Sequence, residues 1–256
     1  MSALIQSHIE TTRLLVGATS DYVVRLAQDS ADVAAAQSLR FEVFNLELNE
    51  GLAESFHTGR DADPFDAVCD HLLVEYLPAR QVVGTYRLQT GRMANANRGY
   101  YGAQEFDFSP YECVREQMVE LGRACVHRAH RNLAVLGLLW RGIADYALQR
   151  GGRYLCGCSS ITSQDPGVGA SAYSDLCRKH LAPQEFRTRP QPRHACPLHH
   201  LAEDAPKIPK LLRAYLSVGA KICGPPALDR EFKTIDFLTL LDLEALPALA
   251  RARFLG

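Results

Sequence analysis

Between residues 117 and 161 the hydrophobic period changes twice within one compact unit. QMVELGRACV (117–126) reads as a strand, and a polar stretch, HRAHRN (127–132), follows it. LAVLGLLWRGIADYALQ (133–149) then carries Leu136, Leu139, Trp140, Ile143 and Ala147 at helical spacing, until Gly151-Gly152 ends the helix. RYLCGCSSI (153–161) returns as a strand. A strand–loop–helix–strand succession favours a right-handed crossover between strands of one sheet. It commits the chain to an α/β fold, a mixed twisted sheet flanked by helices.

The rest of the chain supplies partners for that unit. Residues 22–27 (YVVRLA) predict a strand, and 31–46 a helix capped by Asp29 or Ser30. Residues 49–66 read as a loop. Residues 69–77 and 81–88 alternate about the turn Pro78-Ala79-Arg80, the pattern of an antiparallel hairpin. Residues 91–111 predict a polar helix or lid. Helices are expected over 170–180, 208–217 and 246–254, and strands over 221–223 and 234–242. The Pro- and His-rich stretch 182–206 is longer than an ordinary connection. Neither a repeat nor a low-complexity linker divides the chain, so a single domain over 1–256, with its core at roughly 20–255, is expected.

Charge and composition exclude some functions. Lys plus Arg total 28 against 29 Asp plus Glu, a formal net charge of -1, so the basic excess expected of a phosphate-gripping, nucleic-acid-binding protein is missing. No run of about 18 apolar residues suggests a membrane span. His8, Glu10 and Arg13 interrupt any secretory signal in residues 1–16. Eight cysteines in a chain able to bury a core without cross-links are expected to be reduced thiols of a cytoplasmic protein. Peripheral contact with the inner face of the cytoplasmic membrane stays open.

Several charges call for partners. Nine carboxylates lie between Glu42 and Glu75, with Arg60 the one opposing Lys or Arg; converging, they would attract a cationic amine, and otherwise they form a solvated acidic loop. Arg87 sits in the apolar strand GTYRL, where an inward guanidinium needs a carboxylate. Glu120 and Arg123 would face opposite ways in a regular strand, but a bulge at Gly122 would bring them to one side. Arg87, Glu120 and Arg123 then form either a structural ion-pair network or a site that orients a substrate carboxylate beside a proton acceptor. His127, Arg128, His130 and Arg131 open a strand-to-helix turn, where free N–H groups favour phosphate or a pantetheine chain, although no GxxxxGK[ST] pattern occurs. Arg178-Lys179-His180 with Arg187, Arg189 and Arg193 either meets an acidic carrier protein or is solvated surface. Cys156 and Cys158, or His194, Cys196, His199 and His200, match no common zinc spacing, so no metal is expected. Ser159-Ser160 lacks a G-x-S-x-G elbow.

The segments LRFEVFNLE (39–47), DPFDAVCDHLLV (63–74), VVGTYRL (82–88), VELGRACVHRAHRN (119–132) and RYLCGCSSI (153–161) resemble, in order and spacing, one branch of the Gcn5-related N-acyltransferase (GNAT) superfamily. That branch holds the ornithine N-alpha-acyltransferases and is similar in layout to the acyl-homoserine-lactone synthases; residues 214–247 look especially like the ornithine group. The resemblance implies a V-splayed mixed sheet that binds an acyl thioester where its central strands part. It implies transfer of a long-chain 3-hydroxyacyl group to the alpha-amine of L-ornithine, giving lyso-ornithine lipid by direct aminolysis, with neither metal nor other cofactor. The superfamily's Q/R-x-x-G-x-G/A pattern is replaced by HRAHRNLAV (127–135), which favours acyl carrier protein as donor and partner over acyl-CoA without excluding the latter. Carried over by motif, Arg40, Phe44, Asp63, Asp70 and Arg87 would bind the amino acid, and Glu120 and Arg123 would be catalytic. Val126, His127, Arg128, His130, Arg131 and Asn132 would receive the pantetheine. Another amine acceptor, signal synthesis of the lactone type and a non-enzymatic carrier-binding module are the alternatives.

Overall fold

The alternating patterns condense into a nine-stranded sheet in a computed structural model that describes residues 17–204 and 206–254. The strands are β1 (Gly17–Ala18), β2 (Tyr22–Leu26), β3 (Asp70–Tyr76), β4 (Gln81–Thr90), β5 (Met118–Val126), β6 (Tyr154–Thr162), β7 (Lys221–Ile222), β8 (Ala227–Asp229) and β9 (Thr234–Asp242). Their order is β1-β2-β3-β4-β5-β6-β9-β7, with β8 also paired to β9. The helices are α1 (Ser30–Arg40), α2 (Ser55–Thr58), α3 (Gly91–Ala96), α4 (Leu133–Gln149), α5 (Pro166–His180), α6 (Lys210–Ser217) and α7 (Ala248–Phe254).

The sheet has two faces of different character. Val24, Leu72, Leu88, Val119 and Leu155 turn toward α4, whose Leu139 and Ile143 complete a buried cluster. The opposite face meets α1 and the helical turns that continue it, where Leu39 and Val43 pack on Cys125 of β5. Burial of each large aliphatic side chain in such a core contributes about 1.5–3 kcal/mol. Asp29 caps α1, accepting from the N–H groups of Ala31 and Asp32 at 2.9 Å, and Asn132 caps α4 through Val135 N at 3.0 Å. The expected helix over 31–46 keeps its direction but changes winding: after Arg40 it continues as π-helix through Phe41–Glu47.

The crossover β5–α4–β6 makes β5 and β6 parallel, whereas their other neighbours are antiparallel. Pairing covers just Met118↔Tyr154, Val119↔Leu155 and Glu120↔Cys156, and then the two strands part. β9 lies antiparallel along the whole of β6. The splay is thus an opening within one sheet.

Other expectations are corrected. Only residues 91–96 of the proposed polar helix are α-helical; beyond them the chain turns irregularly, with 3-10 segments at Gly102–Gln104 and Ser109–Gln117. α5 begins at Pro166, before position 170, because Asp165 caps it there. The short strand β8 was not foreseen. All eight cysteines are free. Among the described residues, no helix is long and apolar enough to cross a membrane.

Candidate active site at the splayed strands

A cavity of about 390 Å³ occupies the opening between β5 and β6. Side chains alternate across a strand, so its walls draw on both faces of the sheet. From the α1 face come Arg87, Glu105, Glu120, Arg123 and Asp236; from the α4 face come Tyr86, Ile143, Leu212, Tyr215 and Leu241. One end is ionic and the other apolar, and Leu121, Gly122, Gly157 and Cys158 line the passage between them.

A bulge in β5 places two ionic side chains together. Thr85 pairs with Cys125 but Arg87 with Gly122, so two residues of β5, Arg123 and Ala124, stand opposite Tyr86 alone. The left-handed residue is Arg123 itself, φ 50°, where the sequence suggested Gly122. The extra residue turns Arg123 to the face of Glu120.

Three arginines and three aspartates form a nearly dry cluster on that face. Arg40 is fully buried and donates to Asp61 at 2.8 Å and to both oxygens of Asp66 at 3.0 and 2.7 Å. Arg87 Nη1 donates to Asp63 at 2.6 Å and Asp66 at 2.9 Å. Arg123 Nη2 donates to Asp63 at 2.9 Å, while its guanidinium lies over the rings of Tyr101 and Phe232. Burial opposes the charge on Asp66, but Arg40 and Arg87 hold its carboxyl well below the usual range. Burial likewise lowers the pKa of His71, whose Nε2 is 3.1 Å from the Asp66 carbonyl. The cluster's formal charge is therefore balanced internally. Arg87 and Arg123 both still line the cavity, and among the described residues no carboxylate accepts from Arg87 Nη2 or from Arg123 Nη1, which donates to Tyr101 Oη at 3.4 Å.

Glu120 is 5% exposed and accepts three hydrogen bonds: Gln89 Nε2 at 2.6 Å and Tyr101 N at 2.8 Å on Oε2, and Gly102 N at 2.7 Å on Oε1. Burial raises its pKa although these donors favour the carboxylate. Oε1 retains an open lone pair. Glu120 thus both shapes the 100–105 loop and borders the cavity.

Of the other expected residues Phe44 lines the cavity, but the rest do not gather there. Asp70 belongs to the opposite face, by strand parity with His71, and its carboxylate receives Tyr146 Oη at 2.8 Å from α4. The nine carboxylates of residues 42–75 do not converge as one group: Asp61, Asp63 and Asp66 join the arginine cluster, whereas Glu75 pairs with Arg25, Glu47 with Arg131 and Glu42 with His127. Val126 ends β5, and His127, Arg128, His130, Arg131 and Asn132 occupy the β5–α4 turn, all outside the cavity lining. There His130 meets Tyr22 at 3.0 Å, and Asn132 is the α4 cap. Arg187 and Arg193 donate to the carbonyls of Ala182 and Gln104, away from Arg178 on α5.

The sequence reading missed a second acidic group. Glu105, Asp229 and Asp236 line the cavity, and one oxygen of each lies within 4.8 Å of the others. Glu105 and Asp236 are 4% and 3% exposed. Burial and the neighbouring carboxylates raise Glu105 far above its ordinary value, and burial lifts Asp236 to about 6. The signal was present in TIDFLTLLD, where Asp236 is a charge inside an apolar strand, the same anomaly that marked Arg87. Glu50, also on the wall, binds Thr162 and is raised by burial.

The family description "Acetyltransferase (GNAT) domain" matches residues 39–141. The chain is 33% identical over 251 residues to the L-ornithine N(alpha)-acyltransferase of Agrobacterium fabrum, covering 91% of this chain and 84% of that one. It is 33% identical over 246 residues to the enzyme of that name from Rhodobacter capsulatus, covering 91% and 94%. The AHL synthase LasI superposes with a TM-score of 0.54 at 12% identity, over 92% of this chain and 95% of its own. FeeM, an N-acyl amino acid synthase from uncultured soil microbes, gives 0.54 at 12%, over 90% and 97%. At such identities the likeness concerns the fold, and it is to a GNAT-like mixed sheet.

Proposed function

Because the chain belongs to the L-ornithine N(alpha)-acyltransferase family, we propose that it is an N-acyltransferase joining a long-chain 3-hydroxyacyl group to the alpha-amine of L-ornithine. The product is then lyso-ornithine lipid. One observation carries the reading on the structural side: the cavity crosses the sheet, ionic on one side and apolar on the other. Such a space suits an apolar chain and a zwitterionic acceptor meeting at the opening.

In this reading the acyl chain lies against α4 and α6, and the thioester carbonyl rests where β5 and β6 part. The neutral alpha-amine attacks that carbonyl; the C–N bond forms, the C–S bond breaks, and the pantetheine thiol leaves with a proton. Glu120 accepts the amine proton through the open lone pair of Oε1, directly or through water. Arg87 and Arg123, with N–H groups left over from their aspartates, receive the acceptor carboxylate. Backbone N–H groups freed where β5 leaves β6 stabilise the oxyanion.

For the donor we favour acyl carrier protein. HRAHRNLAV (127–135) replaces the usual pyrophosphate pattern, and Arg131 in that turn is already committed to Glu47 at 2.5 and 2.7 Å. A phosphopantetheine arm without the nucleotide half asks less of that turn. Such a donor places the enzyme in the cytoplasm, with peripheral contact at the inner membrane face for the product. The test is mass analysis of products from a panel of amino acids offered with acyl carrier protein or acyl-CoA donors. An ornithine amide formed from the carrier donor is expected; exclusive reaction with another amine would sink the acceptor, and preference for CoA would sink the donor.

A further inference from the structure

Resting on the acceptor reading above, we propose that Glu105, Asp229 and Asp236 bind the side-chain ammonium of the acceptor amino acid and thereby set its specificity. The acidic run of residues 42–75 suggested itself for that role from the sequence, but apart from Glu50, which lies on the cavity wall and accepts from Thr162, its paired members neutralise arginines or lie elsewhere. The triad is different in three ways. It lies on the cavity wall, on the face that also carries Glu120 and Arg123. It contains no arginine or lysine of its own, since Arg123 is held by Asp61 and Asp63. Two of its oxygens, Glu105 Oε2 and Asp236 Oδ1, accept from no amide, guanidinium or hydroxyl donor among the described residues, although both residues are more than nine-tenths buried, and the two carboxyl groups lie close enough to share a proton with each other.

Facing carboxylates in that position can share a proton or enclose a cation, and leaving them unfilled is expensive. An alkylammonium brings one positive charge and three donors, which matches three carboxylates converging within 4.8 Å. Asp229 is fixed for the task, because its Oδ1 accepts from the N–H groups of Glu231 at 2.8 Å and Phe232 at 3.1 Å. Arg123, on the same cavity wall, is near enough for its charge to act on Glu105. An amino acid lying between them would place its carboxylate by the arginine and its distal ammonium in the triad. The alpha-amine is then left toward Glu120 and the opening. Discrimination between ornithine and norvaline, which has the same carbon chain but lacks the distal ammonium, follows from leaving the buried triad unfilled.

The experiment compares kcat/KM for ornithine and norvaline in the full-length protein and in Glu105→Gln, Asp236→Asn and the double variant. The expected result is a strong wild-type preference for ornithine that falls about 100-fold in the double variant, the scale of a buried charge pair losing one side. An unchanged ornithine-to-norvaline ratio overturns the proposal, as does a parallel loss on both acceptors. Circular dichroism and thermal melting of each variant identify a failure to fold, and Asp236→Asn, isosteric, is the safeguard. Native mass spectrometry with Mg²⁺ or Ca²⁺ supplies the remaining arm: stoichiometric metal that survives ornithine addition overturns the ammonium assignment. If no variant or wild-type protein acylates ornithine but other amines react, the acceptor reading fails instead, and the two failures are distinguishable.

Discussion

Arg40 has no contact with solvent, yet it gathers Asp61 and Asp66 and through them Arg87. Removing one member of a buried ion pair leaves its partner uncompensated, which costs about 3–5 kcal/mol. Asp66→Asn should therefore lower the urea midpoint far more than Asp70→Asn, whose carboxylate is half-exposed beside Tyr146 and Arg150. Equal shifts would refute the central role given to Asp66. The acid side follows from the same residue. Its folded pKa is depressed, so its stabilisation is fully present above the unfolded value of 3.8 and declines as pH falls toward the folded one. Wild-type protein should lose stability below about pH 4 more steeply than Asp66→Asn, measured as melting temperature against pH.

At the scale of elements, Gly157 sits where β6 leaves β5. A Cβ there would stand 2.3 Å from the carbonyl oxygen of Leu121. Backbone cannot retreat as a side chain can, so Gly157→Ala should cost about 1–3 kcal/mol and depress turnover by altering the width of the opening. Unchanged turnover and an unchanged denaturation midpoint would show that the strands separate freely. Much at this scale was legible beforehand. The hairpin β3–β4, helix α4 and strand β9 carry unbroken periodicity, and each appears within about two residues of its expected limits. The rest depended on contacts that periodicity does not encode. The π-helical run after Arg40 has the composition of ordinary helix, and residues 97–117 are ordered by side chains such as Glu120 rather than by a repeat. Arg87, Glu120 and Arg123 could be singled out as charges in apolar strands, but the aspartate partners of the two arginines come from a loop whose course no local pattern dictates. Glu105 lies in that irregular stretch, and so escaped notice.

Across the whole molecule, the sheet divides the cavity into two chambers that share one doorway. The α4 side is walled by Ile143, Ala144, Leu212, Tyr215 and Leu241, with Tyr86 and Tyr215 joined through their hydroxyls. Ala144 is 3% exposed and lies on α4. Ala144→Phe should shorten the preferred acyl chain, read as the ratio of long- to short-chain products from a mixed donor pool. An equal decline for all lengths would mean that the chain lies elsewhere. Local overpacking of about 1–3 kcal/mol is the expected accompanying loss in stability.

The doorway has a further consequence for how the reaction ends. In the geometry proposed above, a donor and an acceptor approach from opposite sides of one sheet and need not exclude each other, but the molecule they would become is threaded through it like a bolt through a plate. Its head remains on the α1 side and its tail on the α4 side, so it blocks both entrances until it is drawn out lengthwise. Added product should accordingly inhibit competitively against each substrate in turn, and turnover should follow the rate of that withdrawal rather than the rate of amide formation.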